Sequence, residues 1–372
     1  MNCGRNCVLA MATIVSCGLL AAAELPGLSP EVEPFVRVRA PVVVLAHVRV
    51  IDGTGRPSVD EQNVFIEGGR IARIEGAREV PPKAGTTVLD LHGHTVMPGI
   101  VGMHNHLYYI ARPNFGPGRT PVFDAPLVVP QMMFSSPRLY LAAGVTTMRT
   151  TGSVEPYADL NLRDQIDAGL LPGPHIDATA PYLQGKSPLF IQMHQLENPE
   201  EARRFVDYWA SVGVTSFKAY MHITRAELKA AIDAAHRHGL KVTGHLCSVT
   251  YPEAAEMGID NLEHGFWVNT QLSAGKKPDE CPEDNDEDTI RNMDPDGPDA
   301  AALIRLLVSR HVAVTSTLPV FEGDVAGRPP LQPRMLEAMT PQARADYMYA
   351  RDRRLEKPLP EREGAPGVWP RL

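Results

Sequence analysis

Two histidines separated by one residue, His104 and His106, are the first side chains whose type and spacing suggest chemistry. They follow the apolar, strand-like run Val96-Met97-Pro98-Gly99-Ile100-Val101. Residues i and i+2 of a strand share a face, so both imidazoles converge on one point. Neutral imidazole is a common ligand for zinc and similar metals. By itself the pair reads equally well as two polar loop residues. Three further residues shift that balance. Lys218 sits in Thr215-Ser216-Phe217-Lys218-Ala219-Tyr220, His245 in Lys241-Val242-Thr243-Gly244-His245, and His264 in Asn261-Leu262-Glu263-His264-Gly265. Each falls at or near the C-terminal end of a strand-like run. A lysine inside an apolar strand costs free energy unless its charge is neutralised or paired. A lone buried histidine is more often a hydrogen-bonded core residue than a ligand. Four histidines and a lysine at the same end of successive strands are hard to explain that way.

The elements that must position these residues begin at Gly99. Strands are predicted near residues 100–106, 145–149, 174–178, 214–219, 240–245, 260–264 and 312–317, with helices best seen over 199–212, 225–238 and 298–310. Strands alternating with helices point to a parallel sheet. Seven such units without a doubly wound glycine fingerprint favour a (β/α)₈ TIM-type barrel, whose active sites form at the C-terminal ends of its strands. Only seven strands are legible, so the expected fold class is an α/β barrel lacking its last strand. Ahead of it, β-like runs over 42–51, 63–67, 70–74 and 87–91 are separated by Asp52-Gly53-Thr54-Gly55 and Gly68-Gly69. They predict a small β-sandwich module over 41–97, left incomplete because its C-terminal strands are missing. The acidic, Pro-containing stretch 275–297 follows the sixth strand and reads as a solvated loop, with a mobile lid as the alternative.

With Asp52-Gly53-Thr54-Gly55, Val64-Phe65-Ile66-Glu67-Gly68-Gly69-Arg70-Ile71 and Leu141-Ala142-Ala143-Gly144-Val145-Thr146-Thr147, this series resembles the amidohydrolase superfamily of metal-dependent hydrolases. It is most similar to the imidazolonepropionase-like and Xaa-Pro dipeptidase branch, from about residue 42 to about residue 322. The resemblance implies two divalent metal ions, one held by His104 and His106, the other by His245 and His264. Lys218 would bridge them as a carbamate formed with carbon dioxide, since a free ammonium has no lone pair to offer. Zinc is the default metal, with manganese, cobalt and iron fitting similar ligands. A hydroxide shared by the metals would attack an amide carbonyl of a small substrate, such as a dipeptide or N-acyl amino acid. Ring-opening of a cyclic amide is the alternative chemistry, and a remnant that only binds metal the alternative of another class. Tyr220 shares a face with Lys218 and is a candidate donor to the substrate carboxylate or the developing oxyanion. It reads equally well as a tyrosine on the barrel rim. His175, His194 and His222 lie near strand ends or loops without an assigned role.

The sequence departs from the family at its end. The family's aspartate at the close of the eighth strand binds the buried metal and moves the proton from water to the leaving amine. No such residue is found: Asp324 follows the seventh strand too closely, while Asp346 and Asp352 fall in helical sequence. After Thr317 there is one helical region, about 333–355, then an irregular tail over 356–372. The expectation is a C-terminally truncated form of a longer enzyme, with poor solubility and little turnover.

Composition sets outer bounds. The chain has 372 residues, 44% hydrophobic and 22% charged, with a formal net charge of −8 and both signs mixed along it, which argues against a nucleic-acid partner. Arg5, the apolar run Cys7 to Leu20 and Ala21-Ala22-Ala23 read as a signal peptide over 1–23, giving an exported, periplasmic protein. Lipoprotein anchoring at Cys17 is the alternative, and the run is short of the roughly 20 residues a stable membrane span needs. Residues 24–40 read as a linker, and the barrel as 98–355. Beyond the leader only Cys247 and Cys281 remain, too few for a disulfide framework. The expected partner is a small-molecule amide or peptide substrate, and assembly into a homo-oligomer stays open.

Overall fold

A computed structural model describes residues 27–107, 115–116, 120–121, 135–282, 288–319 and 329–356. The chain divides into two compact units, one built on residues 36–98 and one on residues 28–35 together with 99 onward. The signal-peptide residues, Cys17 and the tail beyond Glu356 lie outside the described residues. Within 28–35, Ser29 donates its backbone N–H to the carbonyl of Gly169 at 3.0 Å and its hydroxyl to that of Leu170 at 2.8 Å. Half of the stretch read as a linker is thus part of the second unit.

The first unit is one mixed sheet of β1 (Val42–Val50), β2 (Val59–Glu67), β3 (Arg70–Gly76), β4 (Thr86–Asp90) and β5 (Thr95–Val96). The order is β3-β2-β1-β4, with β5 also on β1. β1 runs antiparallel to β2 and parallel to β4 and β5. Val44, Ala46, Val48 and Val50 are buried on alternate positions of β1, the period-2 signature of a strand with one covered face. Among the described residues this module is a single sheet rather than two facing ones.

The second unit opens with β6 (Ile100–Asn105), the hairpin of β7 (Phe115–Gly116) and β8 (Thr120–Pro121), α1 (Ser135–Ala142), β9 (Val145–Thr150) and α2 (Pro156–Asp167). It continues with β10 (His175–Asp177), β11 (Thr179–Leu183), α3 (Pro199–Val212), β12 (Ser216–Ala219), α4 (Arg225–Arg237), β13 (Lys241–Gly244), α5 (Tyr251–Met257) and β14 (Asn261–Glu263). Then come α6 (Asp288–Asn292), α7 (Pro298–Ser309), β15 (Ala313–Thr315), α8 (Pro333–Ala338) and α9 (Pro341–Glu356). Two parallel sheets result, β10-β9-β6 and β11-β12-β13-β14-β15. The third predicted strand, near 174–178, corresponds to β10, which pairs with β9; after a break at Ala178 the unpredicted β11 (Thr179–Leu183) pairs with β12. The bridge Ser153↔Pro181 and the bond from Thr179 N–H to Thr150 Oγ1 (2.8 Å) carry the connection across the split.

The helices start and stop where their sequences dictate. Asn198 caps α3 by accepting from Glu201 N–H, and Gly213, at φ 99°, ends it in a left-handed conformation closed to most side chains. Thr224 and Thr250 form complete capping boxes with Glu227 and Glu253. Between strands and helices lies a core in which Phe217, Val242, Leu262, Leu228 and Ala235 are fully enclosed.

Two expectations change. The 275–297 stretch is neither a plain solvated loop nor a free lid where it is described. Cys281 is disulfide-bonded to Cys247, Arg225 grips both oxygens of Asp279 at 3.1 Å, and Lys276 Nζ donates to the Ser248 carbonyl at 2.7 Å. Asp288–Asn292 is helical, with Thr289 fully buried. The 333–355 region is two helices, interrupted where Thr340 N–H turns to bond Ser135 Oγ. No described helix is long and apolar enough to cross a membrane. Replacing Thr250 by Ala should cost about 1 kcal/mol in chemical denaturation by removing the α5 cap, while Ser at this position should keep most of it.

Candidate metal centre

All five sequence-predicted ligands meet at the C-terminal ends of β6, β12, β13 and β14. The ring centroids of His104 and His106 are 5.3 Å apart, those of His104 and His264 4.5 Å, and those of His245 and His264 4.5 Å. Lys218 is 1% exposed, and its Nζ lies 3.5 Å from His104 Nε2. His264 follows β14 at φ 67°, a left-handed conformation rare for a side chain with a Cβ. Strand alternation would send Glu263 and His264 to opposite faces. The left-handed turn instead lets both reach the His104 cluster.

Three of the four rings are held by one nitrogen. His104 Nδ1 donates to Glu263 Oε2 at 2.7 Å, and His106 Nδ1 lies 3.2 Å from the carbonyl oxygen of Gly152. His264 Nδ1 pairs with Thr317 Oγ1 at 2.7 Å, while its Nε2 is buried with no hydrogen-bond partner. A buried polar atom without a partner costs free energy comparable to a lost hydrogen bond, and a lone pair aimed at a cation removes that cost. Burial is the largest cause holding all four imidazoles well below the usual histidine range, with the Lys218 charge adding to it, so all four are neutral at physiological pH. Burial also pulls Lys218 down to about 7, against the opposing pull of Glu263.

These donors fit divalent metal, with one qualification on number. Among the described residues, no three His, Cys, Asp or Glu ligand atoms at this site lie within 4.8 Å of one another; the group that does is elsewhere, at His47, Asp90 and His92.

Sequence reasoning missed the residue that organises the centre. Glu263 is fully buried, and its Oε1 accepts from Arg149 Nη2 at 2.7 Å, from Asn261 Nδ2 at 2.8 Å and from the Thr243 hydroxyl. With Oε2 on His104, both oxygens are committed to positioning. A carboxylate inside the apolar run before His264 was the available signal. Tyr182, also missed, lies with its hydroxyl 3.4 Å from His106 Nδ1 and its ring 4.8 Å from that of Tyr220. Tyr220 is buried, its ring 5.0 Å from His245. His175 and His194 pair instead with Asp167 and Glu201 on exposed surface, and burial lowers half-buried His222. Asp324 and the side chain of Asp346 lie outside the described residues, and Asp352 is exposed.

Beside His264, a cavity of about 350 Å³ runs between α6, α7 and β15, with Thr317 at its polar end and Trp267, Ile290, Met293 and Ile304 on its walls.

Residues 95–269, a little under half of the chain, match the model of the amidohydrolase family. An N-substituted formamide deformylase of Arthrobacter pascens is 36% identical over 75 residues, 20% of this chain and 13% of that protein. The chain therefore spans only a small part of this curated relative. A Xaa-Pro dipeptidase structure with methionine in its active site aligns at TM-score 0.56 and 19% identity, covering 76% of this chain and 68% of that one. The ochratoxinase of A. niger aligns at TM-score 0.54 and 14% identity, covering 84% of this chain and 73% of that one. At such identities the two structures speak for the fold alone.

Replacing Glu263 by Ala should lower stability by about 3–5 kcal/mol in denaturant titration, because it strands the Arg149 charge in a buried site. Lys218 gives a separate signature. Its folded value is about 7 and its unfolded value is that of an ordinary lysine, so between them the unfolded chain binds the extra proton. The metal-free protein should therefore gain stability as pH rises from about 7 toward 10, and K218M should remove that slope.

Proposed function

We propose that the chain is a metal-dependent amidohydrolase cleaving the amide C–N bond of a small substrate. The observation that carries this reading is the set of four buried, neutral imidazoles around a buried lysine, with His264 Nε2 left without a protein partner. His104 and His106 hold one ion and His245 and His264 the other. Bound divalent ions supply Lewis acidity toward the carbonyl oxygen and an acidified water as nucleophile. Lys218, lowered to about 7, is about half free amine at neutral pH, and that amine would add to carbon dioxide with release of one proton to give an anionic carbamate oxygen ligand. Glu263 fixes the His104 ring so that Nε2 faces the centre, and Gly152 does the same for His106. Tyr220, beside His245, orients the substrate carboxylate or carbonyl. The mostly apolar cavity next to His264 favours a substrate with a bulky apolar group, such as a dipeptide or N-acyl amino acid.

The two parallel sheets are arcs of one (β/α) barrel over 98–355, preceded by a β module over 41–97 and a linker and signal peptide before it. The Cys247–Cys281 disulfide supports an exported protein, since such bonds persist in oxidising compartments. A second reading, a protein that binds metal without turnover, is favoured by one observation. Both oxygens of Glu263 are occupied, so it is not free to carry a proton between water and the leaving amine.

Metal analysis of monodisperse protein beginning at Glu24, loaded with zinc and bicarbonate, decides between them. Two zinc ions per chain that are lost in H106A/H245A, together with chelator-sensitive hydrolysis of dipeptides, N-acyl amino acids or cyclic amides, are expected. A ¹³C-bicarbonate carbamate resonance should be present and should vanish in K218A. Two such ions without turnover would establish the binding-only reading; no zinc dependent on His106 and His245 would overturn both.

A further inference from the structure

The β module carries a second cluster of metal-ligating side chains, independent of the residues above. His47 is on β1, Asp90 ends β4 and His92 lies in the turn that follows. Each offers one ligand atom, and these atoms lie within 4.8 Å of one another. The two imidazoles stack with centroids 4.0 Å apart and planes 13° from parallel. Glu61 of β2 joins them, its Oε2 3.1 Å from His47 Nδ1, and Asp90 Oδ1 lies 2.6 Å from His92 Nδ1.

The backbone is shaped to bring these groups together. The register between β1 and β2 slips by one residue between Leu45 and Val48, a bulge that re-aims His47. His47 has φ 58° and Glu61 φ 50°, left-handed values that cost of order 1–3 kcal/mol each for residues other than glycine. The strained His47 is pinned from behind: its N–H donates to Oδ1 of fully buried Asn63 at 3.2 Å, and Asn63 Nδ2 donates to the Arg78 carbonyl at 2.9 Å. Parallel pairing of Ala46 with Asp90 sets the carboxylate beside the bulge. An ordinary exposed ion pair needs none of this, because surface pairs form from flexible side chains on relaxed backbone.

We propose that His47, Asp90 and His92, with Glu61 orienting His47, form a transition-metal site that staples the β1–β2 bulge to the turn after β4. Two imidazoles and a carboxylate form a borderline donor set that takes zinc, nickel, cobalt or copper and leaves calcium and magnesium, which prefer all-oxygen shells. The exposed positions of Asp90 and His92 leave room for water to complete the shell. A staple suits this module, whose buried hydrophobic cluster holds only Val48, Val50 and Val64, with Leu45, Ile66, Leu91 and Val96 packed partly against it. The proposal does not depend on the barrel reading.

The test is a zinc titration of the metal-stripped full chain, with magnesium as control, followed by histidine ring-nitrogen NMR and by the thermal unfolding midpoint. Zinc, and not magnesium, should shift ring resonances that H47Q and H92Q delete, and should raise the unfolding midpoint by an increment that H92Q loses. H92Q should remove one class of zinc binding while keeping that which depends on His106 and His245, and E61Q should weaken it about tenfold. Equal zinc affinity and stoichiometry in the wild type and H92Q, or unmoved His47 and His92 resonances under saturating zinc, would overturn the proposal. Because these side chains are on the surface of the module, folding of the variants is checked directly by their unchanged backbone spectra.

Discussion

The second unit depends most on one buried charge. Glu263 has no access to water, and a carboxylate in that position persists only if donors replace its hydration. The donors come from four strands: His104 on β6, Arg149 on β9, Thr243 on β13 and Asn261 on β14 itself. β6 and β9 belong to one parallel sheet, and β13 and β14 to the other. A side-chain network therefore joins the two sheets at the level of the ligand cluster, beyond the single backbone bridge that joins them elsewhere. Networks of this kind stabilise only when every member is satisfied, which explains why so many side chains share one carboxylate.

The same network sets the electrostatics of the centre. Arg149 neutralises Glu263 from one side, so the carboxylate supports Lys218 only weakly, and desolvation dominates the lysine. At about 7 the amine is close to half protonated at neutral pH. The histidines respond to the same dryness. Burial and the neighbouring lysine keep them neutral, and neutral rings present lone pairs.

The β module shows another way of placing ligands. Its hydrophobic cluster is small, and its histidines and carboxylates gather on the surface through a bulge and two left-handed residues. In the second unit the four histidines and Lys218 are instead delivered by strand ends, with left-handed backbone only at His264 among the five. Both designs spend local backbone freedom to point a histidine, one against a buried asparagine and the other beyond a buried glutamate.

The sequence by itself determined the periodic part of this protein. The strand and helix runs, and the placing of His104, His106, Lys218, His245 and His264 at strand ends, follow from local propensity and from residue types that are costly to bury. Burial period and spacing are properties of neighbouring residues, so they can be read along the chain. Only the tertiary structure decided the rest. Glu263 was invisible as an organiser because its partners lie 159, 114 and 20 residues away at His104, Arg149 and Thr243. The break at Ala178, the pairing of Cys247 with Cys281 and the meeting of His47 with His92 have the same character. Each depends on which strands become neighbours, and a carboxylate or imidazole acquires its role from the groups that enclose it rather than from those beside it in sequence.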